Sequence, residues 1–158
     1  MNDREDNVVY ESSARFDENR IRAAAIYCSD GRFGEHVDEF LHNCLKLPRY
    51  DRLALPGGAA CLAGHFLTFS EEASFVEQLR FLIKVHGLER VVLVAHQGCA
   101  FYTERLRVAP AEMETQQRED MQAAIERVHS IAPRLLVDAF FARKHLDGAI
   151  RFESLARR

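Results

Sequence analysis

The sequence lacks the features that mark a nucleic-acid-binding, membrane-bound or secreted chain. Its 158 residues carry a formal net charge of −3, so there is no broad positive field to attract nucleic acid. No apolar run reaches the roughly 20 residues that cross a bilayer. Residues 1–7 are polar and acidic, without the apolar core of a secretory signal. We therefore expect a cytoplasmic protein that binds neither nucleic acid nor a membrane.

The chain also lacks internal repeats, low-complexity segments and linkers, which predicts one folded domain over residues 21–158. Residues 1–20 are charged and weakly patterned, so we expect a disordered tail or an arm that orders against a partner subunit. The four cysteines are Cys28, Cys44, Cys61 and Cys99. Because no secretory signal precedes them, we expect reduced thiols rather than disulfides.

Short apolar runs alternate with amphipathic segments, a pattern typical of an α/β fold. Strands are predicted over residues 21–27, 51–55, 88–95, 135–141 and 149–155. Helices are predicted over residues 33–45, from Ser70 as N-cap to Gly87 as C-cap, over 113–131 and, as a short one, over 101–108. A strand–helix–strand crossover builds a parallel sheet, and Asp147-Gly148 predicts a closing hairpin. The expected fold is a three-layer α/β domain, with helices on both faces of a mostly parallel four- to five-stranded sheet and an antiparallel edge strand.

The first predicted strand leads into residues that can hold a metal. Cys28 closes the apolar run, and Asp30 and Arg32 follow at alternate positions. The side chains of alternate residues in extended backbone point the same way, so those of Cys28 and Asp30 can reach the same metal ion. Arg32 can hold the Asp30 carboxylate in a bidentate pair.

The third predicted strand ends in the same manner, with His96 and then Cys99. Ligands gather outside the carboxyl ends of parallel strands, so these side chains converge with Cys28 if the first and third strands are neighbours. Two cysteines and one histidine suit zinc and leave a fourth position open, as in a catalytic site. The sequence thus predicts a catalytic zinc ion bound by Cys28, His96 and Cys99. The alternative is that each cysteine only packs as a small apolar residue.

A Gly-Gly pair comes directly after the second predicted strand. Gly57 and Gly58 allow positive φ and let the backbone approach a ligand or a neighbouring strand closely. A plain tight turn explains the pair equally well at this stage.

These motifs resemble those of the β-class carbonic anhydrases. Cys28-Ser29-Asp30-Gly31-Arg32 is similar to the family's Cys-x-Asp-x-Arg turn, and His96-Gln97-Gly98-Cys99 is similar to its His-x-x-Cys turn. The loop over residues 55–59 is similar to the family's glycine-rich loop beside the metal, which makes Gly57 and Gly58 candidates for substrate binding. The resemblance covers about residues 21–155 and points to a compact, divergent branch of the family.

The resemblance implies reversible hydration of CO₂ to bicarbonate by a zinc-bound hydroxide, in a homodimer. Asp30 and Arg32 are then the catalytic pair: Asp30 held by Arg32 orients the hydroxide, and released Asp30 takes the fourth zinc position and switches the enzyme off. Two thiolates make the metal less positive than three histidines do, so activity is expected to rise with pH. Candidates for proton export are His36, His65 and Tyr102.

Three other functions stay open at this stage. Hydrolysis of carbonyl sulfide or carbon disulfide on the same zinc uses similar chemistry, and only the shape of the pocket distinguishes it. A zinc-binding homologue without turnover has no need of Asp30 and Arg32, because a structural zinc site favours a fourth thiolate or imidazole. A thiol-redox protein using Cys28 and Cys99 is disfavoured because there is no Cys-x-x-Cys motif.

Overall fold

The computed structural model describes residues 8–20 and 22–157. The predicted strand start at Ile21, residues 1–7 of the predicted tail and Arg158 lie outside the described residues. The strands are β1 (Ala23–Tyr27), β2 (Asp51–Ala54), β3 (Arg90–His96), β4 (Leu136–Lys144) and β5 (Ile150–Arg157). The α-helices are α1 (Gly31–Glu39), α2 (Phe69–His86) and α3 (Met113–Ile131). Short π-helices span Phe40–Cys44 and Phe101–Arg105, and 3₁₀-helices span Gly58–Leu62 and Phe66–Thr68.

The strands form one sheet in the order β2-β1-β3-β4-β5. The first four are parallel, and β5 runs antiparallel to β4 at the edge. This confirms the predicted mostly parallel sheet with an antiparallel edge strand. Strands β1 and β3 are direct neighbours, with Tyr27 opposite Val94. Their carboxyl ends therefore lie side by side, as convergence of the predicted metal ligands requires.

Alternation along the buried strands divides the core between the two faces of the sheet. Ala24 and Ile26 of β1 face the apolar sides of α2 and α3, whereas Ala25 and Tyr27 face α1. Helices cover both faces, which completes the three-layer arrangement. Within the described ranges no helix combines the length and the apolar character needed to cross a bilayer.

Several predicted boundaries were wrong for local physical reasons. The end of the first strand was predicted correctly: β1 ends at Tyr27, and Cys28 is the first residue after it. Helix α1 starts two residues earlier than predicted because Asp30 caps it, accepting the Arg32 backbone N–H at 3.0 Å. The predicted end of this helix is the separate π-helix over Phe40–Cys44.

Ser70 is not the N-cap of α2. The 3₁₀-helix ending at Thr68 runs directly into a helix that begins at Phe69, and the Thr68 hydroxyl donates to the His65 carbonyl instead of capping. The predicted C-cap was right: Gly87 has a φ of +63°. Strand β4 runs to Lys144 because its pairing with β5 continues to the Lys144–Ile150 pair.

Candidate metal centre

The structure brings the three predicted metal ligands together at the carboxyl edge of the sheet. One donor atom each of Cys28, His96 and Cys99 lies within 4.8 Å of the others, and the two sulfur atoms are 3.8 Å apart. Cys28 directly follows β1, His96 ends β3, and Cys99 lies in the next turn. His96 and Cys99 are buried and Cys28 is partly buried. All four cysteines are free thiols.

The His96 ring is oriented for a metal. Its Nδ1 lies 3.0 Å from the Gln97 carbonyl oxygen, which can only accept, so Nδ1 carries the proton. Its Nε2 is buried and has no hydrogen-bond partner among the described residues. The Phe33 ring lies against it, with the ring centroids 4.3 Å apart. A buried acceptor without a partner is unfavourable on its own, and a free Nε2 beside two cysteine sulfurs fits a zinc ion.

The two cysteines share a proton unequally. The Cys99 thiol donates to Cys28, and this hydrogen bond lowers the pKa of Cys28 to about 4. The same hydrogen bond, together with burial, raises the pKa of Cys99. The pair therefore holds one thiolate and one thiol at neutral pH, and the thiolate is the form that binds metals.

The predicted Asp30–Arg32 pair is present beside these ligands. Arg32 Nη2 donates to Asp30 Oδ2 at 2.6 Å, and Arg32 Nε lies 3.0 and 3.1 Å from the two carboxylate oxygens. Hydrogen bonds from the Arg32 side chain lower the pKa of Asp30 to about 2. The structure thus shows the arrangement in which Arg32 holds Asp30, and Asp30 is not one of the three clustered ligands.

Gly57 and Gly58 pack tightly against residues next to the clustered cysteines and histidine. Gly58 has a φ of +52°, and a Cβ there would lie 2.6 Å from the Tyr27 carbonyl carbon and 2.7 Å from the Cys28 nitrogen. Gly57 has a φ of +82°, and a Cβ there would lie 2.5 Å from the Phe101 ring. Both explanations open from the sequence apply, because the Gly58 N–H also closes a tight turn by donating to the Leu55 carbonyl oxygen at 2.9 Å. The substrate-binding role of these glycines stays a prediction.

An open cleft of about 710 Å³ lies beside Arg32. Its lining includes Phe33, Gln97, Lys144 and the proton-export candidate His36. This cleft opens the Arg32 side of the site to solvent and small molecules.

Two buried polar residues behind the clustered cysteines and histidine were not predicted from the sequence. Gln117 and Asp120 of α3 are buried, with 2% and 3% of their surface exposed. They contact the His96 carbonyl and the Tyr102 hydroxyl respectively. A signal existed, because Gln117 stands four residues from both Met113 and Met121 on the inward face of the helix.

A family model described as "Putative carbonic anhydrase" matches residues 18–150. The match spans most of the chain and includes both metal-ligand turns. The protein therefore belongs to this carbonic anhydrase family, and its fold is that of the β class.

The fold assignment rests on a solved structure of low sequence identity. The β-carbonic anhydrase isoform I (TvaCA1) from the protozoan Trichomonas vaginalis is 10% identical with a TM-score of 0.56, covering 98% of this chain and 91% of that one. The β-carbonic anhydrase CafA of the fungal pathogen Aspergillus fumigatus is 14% identical with a TM-score of 0.44, covering 87% of this chain and 77% of that one. No curated protein matches the sequence significantly.

Proposed function

We propose that the protein is a zinc-dependent carbonic anhydrase that converts CO₂ and water reversibly into bicarbonate. The observation that carries the proposal is the convergence of Cys28, His96 and Cys99, with a buried and unpartnered His96 Nε2. Membership of a carbonic anhydrase family supports it. The Asp30–Arg32 pair beside the ligands supplies a fixed carboxylate, which a purely structural zinc site does not need.

The donor set fits zinc and leaves one coordination position for water. A zinc ion bound there supplies Lewis acidity that makes water a nucleophile near neutral pH. The protein contributes the orientation of the donors. The Gln97 carbonyl fixes the His96 tautomer, and Phe33 fixes the plane of the ring.

Asp30 acts as a fixed hydrogen-bond acceptor. Its pKa of about 2 keeps it ionised at every physiological pH, and an ionised carboxylate can only accept. Arg32 fixes the plane of the carboxylate through both oxygens. Asp30 can therefore orient the O–H of the attacking nucleophile. If the hydrogen bonds from Arg32 break, the freed Asp30 carboxylate can compete with water for the open metal position and switch the enzyme off.

Zinc content and stopped-flow CO₂ hydration at pH 7 and pH 8.5 test the proposal. We expect one zinc per chain and activity that rises with pH. Asp30→Ala should retain zinc and lose most of the activity. Asp17→Ala is the matched control, since Asp17 also pairs with an arginine, Arg49, at 3.2 Å but in the N-terminal segment. Wild-type protein with full zinc and no hydration at either pH would refute the activity.

We further propose a homodimer in the cytoplasm. Four large apolar side chains of the N-terminal segment are exposed, and a partner subunit would cover them: Val8, Val9, Tyr10 and Phe16. A reducing compartment keeps Cys28 and Cys99 available as thiols. Light scattering on the purified chain tests the dimer, and a monomeric mass at micromolar concentration would contradict it.

A further inference from the structure

Helix α3 carries two polar side chains on a face that is otherwise apolar. Gln117 and Asp120 are almost fully buried, and so are the apolar residues of the same face: Met113, Met121, Ala124, Ile125 and Val128. Burying an amide and a carboxylate costs free energy unless each finds hydrogen-bond partners. Both side chains have hydrogen-bond partners on the side of α3 that faces the Cys28–His96–Cys99 cluster.

Gln117 holds the main chain at His96. Its Nε2 donates to the His96 carbonyl oxygen at 2.8 Å, and both groups are buried. The His96 ring is oriented separately, by the Gln97 carbonyl and by Phe33. A shift of α3 against the end of β3 would therefore move the Cα of His96, and with it the imidazole.

Asp120 holds the turn that follows Cys99. Its Oδ2 accepts the Tyr102 hydroxyl at 2.7 Å and lies 2.7 Å from His65 Nε2, while its Oδ1 accepts from Gln116 at 2.9 Å. Among the described residues, His65 is its one basic partner. The Tyr102 backbone N–H in turn donates to the Cys99 carbonyl oxygen at 3.1 Å.

These two links meet at one small cavity beside the ligands. The cavity has a volume of about 10 Å³, and its lining includes Cys28, His96, Cys99, Tyr102 and Gln117. The space is too small for a mobile group, so a displaced neighbour there would press directly on the donor atoms. His96 and Cys99 are thus both anchored to the same helix, through different side chains.

We propose that Gln117 and Asp120 are positioning residues that set the affinity and geometry of the metal centre. The inference rests on the proposed zinc site and adds to it: α3 supplies no ligand, yet it fixes the two ligands from the β3 turn in relation to each other. Hydrogen-bonded groups behind metal ligands typically change metal affinity by about 10- to 100-fold when they are removed.

The test measures metal binding directly, by zinc competition with a chromophoric chelator and by the absorption spectrum of the cobalt(II)-substituted protein. Tyr102→Phe and Gln117→Leu each remove a link while preserving size. We expect zinc affinity to fall about tenfold or more in each and the thiolate–cobalt and d–d bands to change. Asp120→Ala should behave likewise, and Asp120→Asn, which keeps an acceptor oxygen for Tyr102, should largely restore wild-type behaviour.

Two matched controls make the same chemical changes elsewhere. The Tyr50 hydroxyl donates to Asp38 next to the amino end of β2, so Tyr50→Phe removes a tyrosine–aspartate bond at the opposite edge of the sheet. Gln122 lies on α3 and donates to Glu126 at 3.0 Å on the exposed side, so Gln122→Leu removes a glutamine bond from the same helix. Both controls should keep wild-type zinc affinity and cobalt spectrum, whatever they do to thermal stability.

The outcomes separate this inference from the proposed function. Unchanged zinc affinity and cobalt spectrum in Tyr102→Phe, Gln117→Leu and Asp120→Ala, with only a lower unfolding midpoint, would mean a purely structural role and overturn the inference. Wild-type protein that binds zinc but hydrates no CO₂ would overturn the proposed activity and leave this result standing. Wild-type protein that binds neither metal would overturn both.

Discussion

Arg32 holds both oxygens of the Asp30 carboxylate, with the shortest contact, Nη2 to Oδ2, at 2.6 Å. The same carboxylate caps α1 by accepting the Arg32 backbone N–H at 3.0 Å. Asp30 therefore serves the fold and the site at once, and the two roles can be separated by substitution.

Asp30→Ala removes both the cap and the charge, whereas Asp30→Asn keeps an oxygen for the cap. Loss of an N-cap typically destabilises a protein by about 1 kcal/mol, so Asp30→Ala should lower the free energy of unfolding by about that amount. Asp30→Asn should stay within about 0.5 kcal/mol of wild type, since an exposed ion pair contributes little. Both should lose CO₂ hydration. Urea unfolding and stopped-flow rates check this, and an active Asp30→Asn would contradict a role for the charge.

The depressed pKa of Asp30 also predicts a pH dependence of stability. Arg32 lowers this pKa to about 2 in the folded chain, against an ordinary value near 3.9. The contribution of the pair is therefore fully present above about pH 4 and is lost as pH falls towards 2. The difference in unfolding free energy between wild type and Arg32→Gln should be constant from pH 7 to about 4.5 and shrink below that. A difference that grew in acid would contradict the assignment.

Zinc affinity should rise with pH because the cysteine pair holds one proton. Cys28 is already a thiolate at neutral pH, while the pKa of Cys99 is raised by its hydrogen bond to Cys28 and by burial. Zinc binds thiolates, so binding must displace the Cys99 proton. One displaced proton predicts an increase of about tenfold in affinity per pH unit between pH 7 and 8. Chelator competition measures this slope, which Cys99→Ser should flatten, and a pH-independent affinity in wild type would contradict the shared proton.

Gly58 should tolerate no side chain. Alanine there must adopt a φ of +52° and place its Cβ 2.6 Å from the Tyr27 carbonyl carbon, a backbone atom that cannot rotate away. Positive φ and overpacking together should destabilise the protein by about 2–4 kcal/mol and weaken zinc binding, because the clash displaces the main chain at Cys28.

Gly64→Ala is the matched control. Gly64 has a φ of +81°, and nothing lies within 4 Å of a Cβ added there. The control therefore carries the backbone strain alone, about 1–2 kcal/mol, and should keep wild-type zinc affinity. If Gly58→Ala and Gly64→Ala lost equal amounts of stability and zinc affinity, the close contact of Gly58 with β1 would contribute to neither.

The clustering of Cys28, His96 and Cys99 was predictable from the local sequence together with the topology of a parallel sheet. Cys28 directly follows one apolar strand and His96 ends another. A parallel sheet brings the carboxyl ends of such strands to one edge. The bidentate Asp30–Arg32 pair followed from spacing alone. These inferences needed only the direction of the chain and the adjacency of β1 and β3.

The polar anchors on α3 were not predictable in the same way. Gln117 and Asp120 lie far along the chain from the ligands, and their partners depend on where α3 packs over the sheet edge. His65, which has no metal-binding neighbour in sequence, lies 2.7 Å from Asp120. Helical structure was predicted over residues 33–45 and 101–108, but the apolar spacing did not indicate the π-helical form of Phe40–Cys44 and Phe101–Arg105.

X-ray absorption at the zinc edge counts the atoms bound to the metal and so tests the proposed zinc centre without relying on activity. We expect one zinc per chain, with two sulfur neighbours at about 2.3 Å and one imidazole nitrogen at about 2.0–2.1 Å. A further light-atom neighbour should occupy the open position, and Cys99→Ser should remove one sulfur. A shell of four sulfurs, a shell of nitrogen and oxygen only, or a chain that retains no zinc under reducing conditions would contradict the centre formed by Cys28, His96 and Cys99.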